Sequence, residues 1–141
     1  MLFAIVSFFG IIWEKEELKV DEFELREELD LLRFQIGLLF ENTEFTRFLY
    51  ECKITRTEAR DLVEKMEEYR DIIDNGGKVT SSKIESDFYA TVPRLYGDYH
   101  FCESYTQLCW EDDRFEEVFE SAYGKFPKFK DDIARKKNRE L

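Results

Sequence analysis

The sequence is poor in the residues on which several classes of protein depend. Only six of its 141 residues are glycine and two are proline, whereas all-β folds need many tight turns built from these residues. It has three cysteines without a close C-x-x-C pair, so the sequence indicates no disulfide framework. A structural zinc site usually needs four nitrogen or sulfur ligands, and the sequence offers only His100 and three cysteines, of which Cys52 is remote from the others. These shortages favour a helical protein of a reducing compartment, and we expect a cytoplasmic one.

The sequence has only one strongly apolar run, MLFAIVSFFGIIW at residues 1–13. It is shorter than the roughly 20 residues of a spanning helix and lacks the basic start of a secretory signal. We expect residues 1–19 to be an apolar leader from an upstream mis-start, with the natural chain beginning at Val20. Codons for residues 14–20 can contain AAGGAGG, a ribosome-binding sequence, before a GTG start. The alternative is a genuine N-terminal helix that packs on the domain or touches a membrane surface.

Positive charge is also scarce, since 32 Asp and Glu face 21 Lys and Arg, a net charge of −11. Such a surface repels phosphate backbones, so we expect no nucleic-acid partner, and we expect no membrane partner. Residues 125–141 differ, with seven basic against three acidic residues, or +4, which leaves −15 elsewhere. We expect this basic C-terminal tail to lie as a solvated helix near an acidic body. A regulator that binds nucleic acid through the tail is the alternative.

The residues that are present predict an all-α fold, a compact bundle of about five to six short helices in a single domain over residues 20–124. The clearest helix covers residues 55–74, where Thr55 and Glu58 form a capping box and Asn75-Gly76-Gly77 ends the helix. A short helix is predicted over residues 44–52.

Three more helices are predicted in the second half of the chain. One starts at Thr80 or Ser82 and ends near residue 91, because Pro93 disfavours helix at the preceding residue. The next runs from a cap at Asp98 to residue 110. The last is capped by Asp112 or Asp113, with Glu116 completing a capping box from Asp113, and ends at residue 124.

The leading helix, predicted over residues 21–39, is amphipathic and carries the most distinctive pattern in the chain. Five apolar residues follow one another at spacings of 4, 3, 4 and 3, which keeps them on one side of a helix. We call this set the apolar stripe: Leu25, Leu29, Leu32, Ile36 and Leu39. It has the character of a coiled-coil seam but covers fewer than three heptads. The stripe could be buried against its own domain or against a copy of itself, and we expect it to be a self-association seam in a homo-oligomer.

The histidine, cysteine and acidic residues do not form a recognisable catalytic or metal-binding motif. His100 and Cys102 lie two positions apart and would point away from each other on a helix, while Cys109 lies further on. Cys52 falls in an apolar run typical of a core thiol, although a Cys52–His100 pair brought together by the fold stays open. The acidic clusters lack the EF-hand spacing, and no P-loop, G-x-G-x-x-G or G-x-S-x-G motif occurs. The sequence therefore predicts no catalytic residue, no cofactor and no metal site.

Aromatic residues are abundant, at 16% of the chain, and are densest over residues 94–101. Such a cluster could stack on bases or bind a partner peptide. The acidic body weakens the case for bases, so we interpret the rings as the filling of a small helical core.

Residues 20–126 resemble the YhaI-like family of small helical proteins from Bacillus-type bacteria. The resemblance rests on LREELDLLRFQIGLLF, EFTRFLYECKITRTEARDLVEKMEE, VTSSKIESDFYATV and GDYHFCESYTQLCWEDDRFEEVF. The segment FLYECKITRTEA is similar to the family pattern F-x-x-L-I-x-x-G-L-x-x-E-E, with Lys53 where the pattern often has glycine. The resemblance implies an all-α cytoplasmic protein that self-associates. It carries over no catalytic residues, since the family has no established activity.

The pattern as a whole predicts a non-enzymatic protein-interaction or regulatory module that acts through helix surfaces and an unknown protein partner. The first alternative is an enzyme or metal-dependent module whose site is not visible in the sequence. The second is the nucleic-acid-associated regulator that uses the basic tail.

Overall fold

A computed structural model describes residues 21–141, and every regular element in that range is helical. The elements are α1 (Glu22–Glu41), α2 (Glu44–Glu51), α3 (Arg56–Asp74), α4 (Ser81–Thr91), a 3₁₀ turn (Pro93–Leu95), α5 (Tyr99–Glu111), α6 (Glu116–Tyr123) and α7 (Pro127–Arg139). The all-α prediction is confirmed. The described range holds seven α-helices where we predicted five to six, because the basic tail forms α7. The prediction for residues 1–19 and Val20 lies outside the described residues.

Local signals place most helix starts where the sequence predicts them. Thr55 Oγ1 accepts the Glu58 N–H at 3.2 Å, and Glu58 Oε2 accepts the Thr55 N–H at 3.0 Å, which completes the predicted capping box. Thr80 caps α4, and Asp98 caps α5 by accepting the Phe101 N–H at 3.2 Å. Each cap satisfies an N–H group that has no partner within its helix.

The prediction that Asp112 or Asp113 caps the next helix is wrong. Helix α6 begins after Phe115, which has a φ of 52° and no side-chain cap. Asp113 instead has a φ of 57° and closes the end of α5, where its N–H donates to Trp110 O at 3.1 Å. Two left-handed residues lengthen the turn, so the Asp113–Glu116 capping box does not form.

The core is centred on α5, which packs against α2, α4 and α6. Its buried side chains include Phe101, Tyr105 and Trp110, and Tyr105 contacts Phe88 of α4 and Phe45 of α2 through ring edges, with centroids 5.2 and 5.3 Å apart. Within residues 21–141, most aromatic side chains thus lie in the interior, in agreement with the interpretation that the rings fill a helical core. The dense cluster at residues 94–101 is divided between this core and the surface.

Helix α7 is attached to the body by both apolar and charged contacts. Phe129 is buried against Phe119, with ring centroids 5.2 Å apart. Lys136 lies over the Trp110 ring at 4.5 Å and donates to the Trp110 carbonyl. Lys128 pairs with Glu103 at 2.5 Å. The basic tail is therefore a docked helix, and its Lys128, Lys136 and Lys137 pair with acidic groups of the body.

Arg94 connects the 3₁₀ turn to the junction between α2 and α3. Its guanidinium donates to the carbonyls of Cys52 at 3.2 Å and Lys53 at 2.7 Å, and to Glu58 Oε1 at 2.5 Å. It satisfies carbonyl groups at the end of α2 that have no partner within the helix. This clamp holds α2 and α3 in a fixed arrangement beside α1.

Candidate interaction surface

Helix α1 packs on the body through its second half and through one face only. Leu38 is 6% exposed, Phe34 is half-buried, and Arg56 of α3 lies 5.3 Å from the centre of the Phe34 ring. Residues 22–30 are all exposed. An ion pair links this part of α1 to α3, with Arg56 Nε 3.7 Å from Asp30 Oδ1.

The apolar stripe lies on the opposite face of α1 and stays exposed. Its five side chains have exposed fractions between 45% and 66%, and Phe40 beside it is 91% exposed. Each residue of an α-helix is rotated by about 100° about the helix axis from the one before it. This rotation places the stripe roughly opposite to Phe34 and Leu38. Helix α1 therefore has two apolar faces, of which the body covers one.

Charged side chains of opposite sign border the stripe. Arg26 and Arg33 lie along one edge, while Asp21 and Glu28 lie along the other. Sequence reasoning identified the stripe but missed these flanking residues and Phe40. Arg26, Glu28, Arg33 and Phe40 each lie one residue before or after a stripe member, and Asp21 lies one heptad before Glu28, so these positions are the signal that could have identified them.

An open apolar recess of about 350 Å³ lies behind α1, on its inner face. Phe34, Leu38, Phe45 and Val63 contribute apolar walls, and Arg114 lies at its rim over the Phe45 ring at 4.5 Å. The recess belongs to the junction of α1 with the body. It brings together no pair of nucleophile and base, so its geometry favours packing over catalysis.

Among residues 21–141, no hydrogen bond joins a cysteine thiol to the histidine. His100 is exposed and stacks beside Tyr99 with ring centres 4.1 Å apart, whereas Cys102 and Cys109 are buried. Burial raises the pKa of each of these two thiols to about 12. Cys52 is half-buried, and burial also raises its pKa. The thiols are therefore protonated at neutral pH and are weak nucleophiles.

Three carboxylates converge at one end of α7, where Asp113, Glu116 and Glu140 have oxygen atoms within 4.8 Å of one another. Lys136 Nζ lies 2.8 Å from Asp113 Oδ1 and 3.3 Å from Glu116 Oε2. Burial lowers the pKa of Lys136, but hydrogen bonds to these two carboxylates outweigh burial, and the pKa is raised overall. The ammonium group therefore already supplies the positive charge that this cluster needs.

Comparison of the chain with family models, curated proteins and solved structures finds no match. Within the described residues, no helix is both long enough and apolar enough to cross a membrane. The outer face of α1 is thus the feature on which a functional interpretation rests.

Proposed function

We propose that this chain is a non-enzymatic protein-interaction or regulatory module that works as a homo-oligomer, with the apolar stripe of α1 as its self-association seam. One observation carries the proposal: the stripe is exposed while the opposite face of the same helix is packed. Continuous exposed apolar patches on a folded protein mark interaction sites.

The charged contacts of the tail favour this proposal over a nucleic-acid-associated regulator. Lys128, Lys136 and Lys137 each pair with an acidic group of the body, at distances of 2.5 to 3.3 Å. Phosphate groups would have to displace these carboxylates while approaching a chain of net charge −11. The protonated thiols and the solvent-facing His100 likewise offer little support for an enzyme.

The resemblance to the YhaI-like family stays a prediction, and the backbone at Lys53 supports it. Lys53 has a φ of 53°, a conformation that glycine adopts without strain, at the position where the family pattern often has glycine. Self-association, which the resemblance implies, agrees with an exposed seam.

Light scattering of the full chain at micromolar concentration tests the proposal. We expect the wild-type protein to be an oligomer and Leu32→Glu to be a monomer, because the variant would place a charge in the seam at a cost of several kcal/mol. Leu32 is 53% exposed in the single chain, so the variant should keep its helical circular dichroism.

Phe23→Glu is the matched control. Phe23 is 67% exposed on α1 but lies away from the stripe, so this variant should remain an oligomer. A wild-type monomer under these conditions would contradict the proposed function.

A further inference from the structure

We infer that the partner of the apolar stripe is a second copy of this chain, whose α1 lies parallel to the first and in register. This inference rests on the proposed function and adds the identity, direction and alignment of the partner. It follows from the residue types in the stripe and from the signs of the charges that flank it.

The stripe has the composition of a two-stranded parallel seam. With Leu25, Leu32 and Leu39 at the d positions of successive heptads, Leu29 and Ile36 occupy the a positions. Leucine at d combined with a β-branched residue at a favours two strands, and one of the two a residues here is isoleucine. The body packs on the opposite face of α1, so it does not obstruct the seam.

The flanking charges select the parallel arrangement. In a parallel in-register pair, a residue at g faces the residue five positions later, at e, on the other helix. Glu28 would then face Arg33 of the second copy, and Asp21 would face Arg26 of the second copy. Each contact occurs twice in the symmetric dimer, so the arrangement brings four acid–base contacts together.

An antiparallel arrangement of the same helices does not form these contacts. In that case g faces g and e faces e, so no acid at g meets a base at e. With the helices centred on Leu32, Glu28 would face the uncharged Gln35, and Arg33 would face Arg33 of the second copy. Like charges facing each other across a seam disfavour that arrangement. Charge complementarity therefore distinguishes the two directions.

Glu28 and Arg33 provide the sharper test of the two pairs. Within residues 21–141 neither forms an ion pair, whereas Arg26 already contacts Glu22 at 2.7 Å and Asp21 caps α1. Both residues are exposed, so charge reversal leaves the body of the protein unchanged.

The experiment measures the dimer dissociation constant of the full chain by sedimentation equilibrium. Glu28→Arg and Arg33→Glu each replace two attractive contacts by two repulsive ones, so each should raise the dissociation constant about tenfold. The double variant restores opposite charges and should return to within a few-fold of the wild type. These differences should shrink in about 1 M salt, where the Debye length is about 3 Å.

Glu27→Arg is the control for the change in net charge. Glu27 is exposed on α1 but lies off the seam, at an f position, so its reversal should leave the dissociation constant unchanged. Single variants that dimerise as tightly as the wild type, or a double variant that is weaker than both singles, would overturn the inference.

A cysteine cross-link tests direction and register independently. Leu25→Cys would place two thiols face to face in a parallel in-register dimer, and oxidised glutathione should join them. In an antiparallel dimer centred on Leu32 the thiols would lie about 21 Å apart, which is beyond the reach of a disulfide. The wild-type protein, with its three native cysteines, is the control for other cross-links.

The outcomes separate this inference from the proposed function. An oligomer that Leu32→Glu dissociates, but that neither responds to charge reversal nor cross-links at residue 25, would overturn only the parallel arrangement. A wild-type monomer would overturn both, and would leave another occupant, such as residues 1–13, to cover the stripe.

Discussion

Replacing Lys53 by glycine should stabilise the protein, and the reason lies in the end of α2. Lys53 N–H donates to Tyr50 O and Ile54 N–H donates to Leu49 O, each at 3.0 Å, which is the pattern of a Schellman motif. The residue after the C-cap must be left-handed in this motif, and Lys53 has a φ of 53°. The side chain of Lys53 is exposed, so little is lost when it is removed.

The magnitude follows from two opposing terms. A left-handed conformation costs a residue with a Cβ atom about 1–2 kcal/mol, and glycine avoids that cost. Glycine loses about 0.5–1 kcal/mol more backbone entropy on folding. The net gain in the free energy of unfolding should be about 0.5–1 kcal/mol, which raises the melting temperature by about 2–5 °C. Chemical denaturation and a thermal scan monitored by circular dichroism measure both quantities.

Two variants separate the backbone effect from other causes. Lys53→Ala removes the charge but keeps a Cβ atom, so its stability should stay within about 0.5 kcal/mol of the wild type. Gly76 occupies the same place after α3, with a φ of 85° and open space where a side chain would begin, so Gly76→Lys should lose about what Lys53→Gly gains. A Lys53→Gly variant no more stable than Lys53→Ala would refute the reasoning.

Three further predictions concern other parts of the fold. Gly37→Ala should stabilise the protein by about 0.5–1 kcal/mol in denaturant titration without changing its oligomeric state, because Gly37 lies inside α1 with open space around it and off the stripe. Arg94→Ala should cost about 1–2 kcal/mol, because three hydrogen bonds at the α2–α3 junction are lost from a partly exposed group. The melting temperature should fall as the pH rises from 9 towards 12, since the buried thiols of Cys102 and Cys109 ionise more readily when unfolded, and it should fall less steeply in a double Cys→Ala variant.

Features set by neighbouring residues could be predicted from the sequence, and features set by distant ones could not. The Thr55–Glu58 capping box needs only two side chains three positions apart, so its pattern is visible in the sequence. Asp113 has the same local pattern with Glu116, yet its carboxylate pairs with Lys136, 23 positions further along the chain. Asp113 therefore does not cap α6, because its left-handed backbone ends α5 and its carboxylate pairs with Lys136.

The choice of which face of α1 packs against the body is a second feature that the periodicity of the sequence could not predict. The stripe is the stronger apolar pattern, and a packing argument based on the sequence would direct it inward with equal reason. In the structure, Leu38 and Phe34 pack against the body instead of the stripe. They are fewer than the five stripe residues, but they lie beside the recess formed with Phe45. Periodicity identifies which residues share a face, whereas the shape of the partner surface decides which face is buried.

The exposed stripe also bounds how tightly two copies can associate. Full burial of a leucine or isoleucine side chain is worth about 1.5–3 kcal/mol, and these five are about half exposed, so each would gain about 1 kcal/mol. Two copies would gain about 10 kcal/mol, against a cost of about 4–15 kcal/mol for lost freedom on association. The balance is close, so the flanking charge pairs, worth about 0.2–1 kcal/mol each, can decide whether the dimer forms at micromolar concentration. A seam this short is therefore expected to dissociate on dilution, and this reversibility is the property that a regulatory module requires.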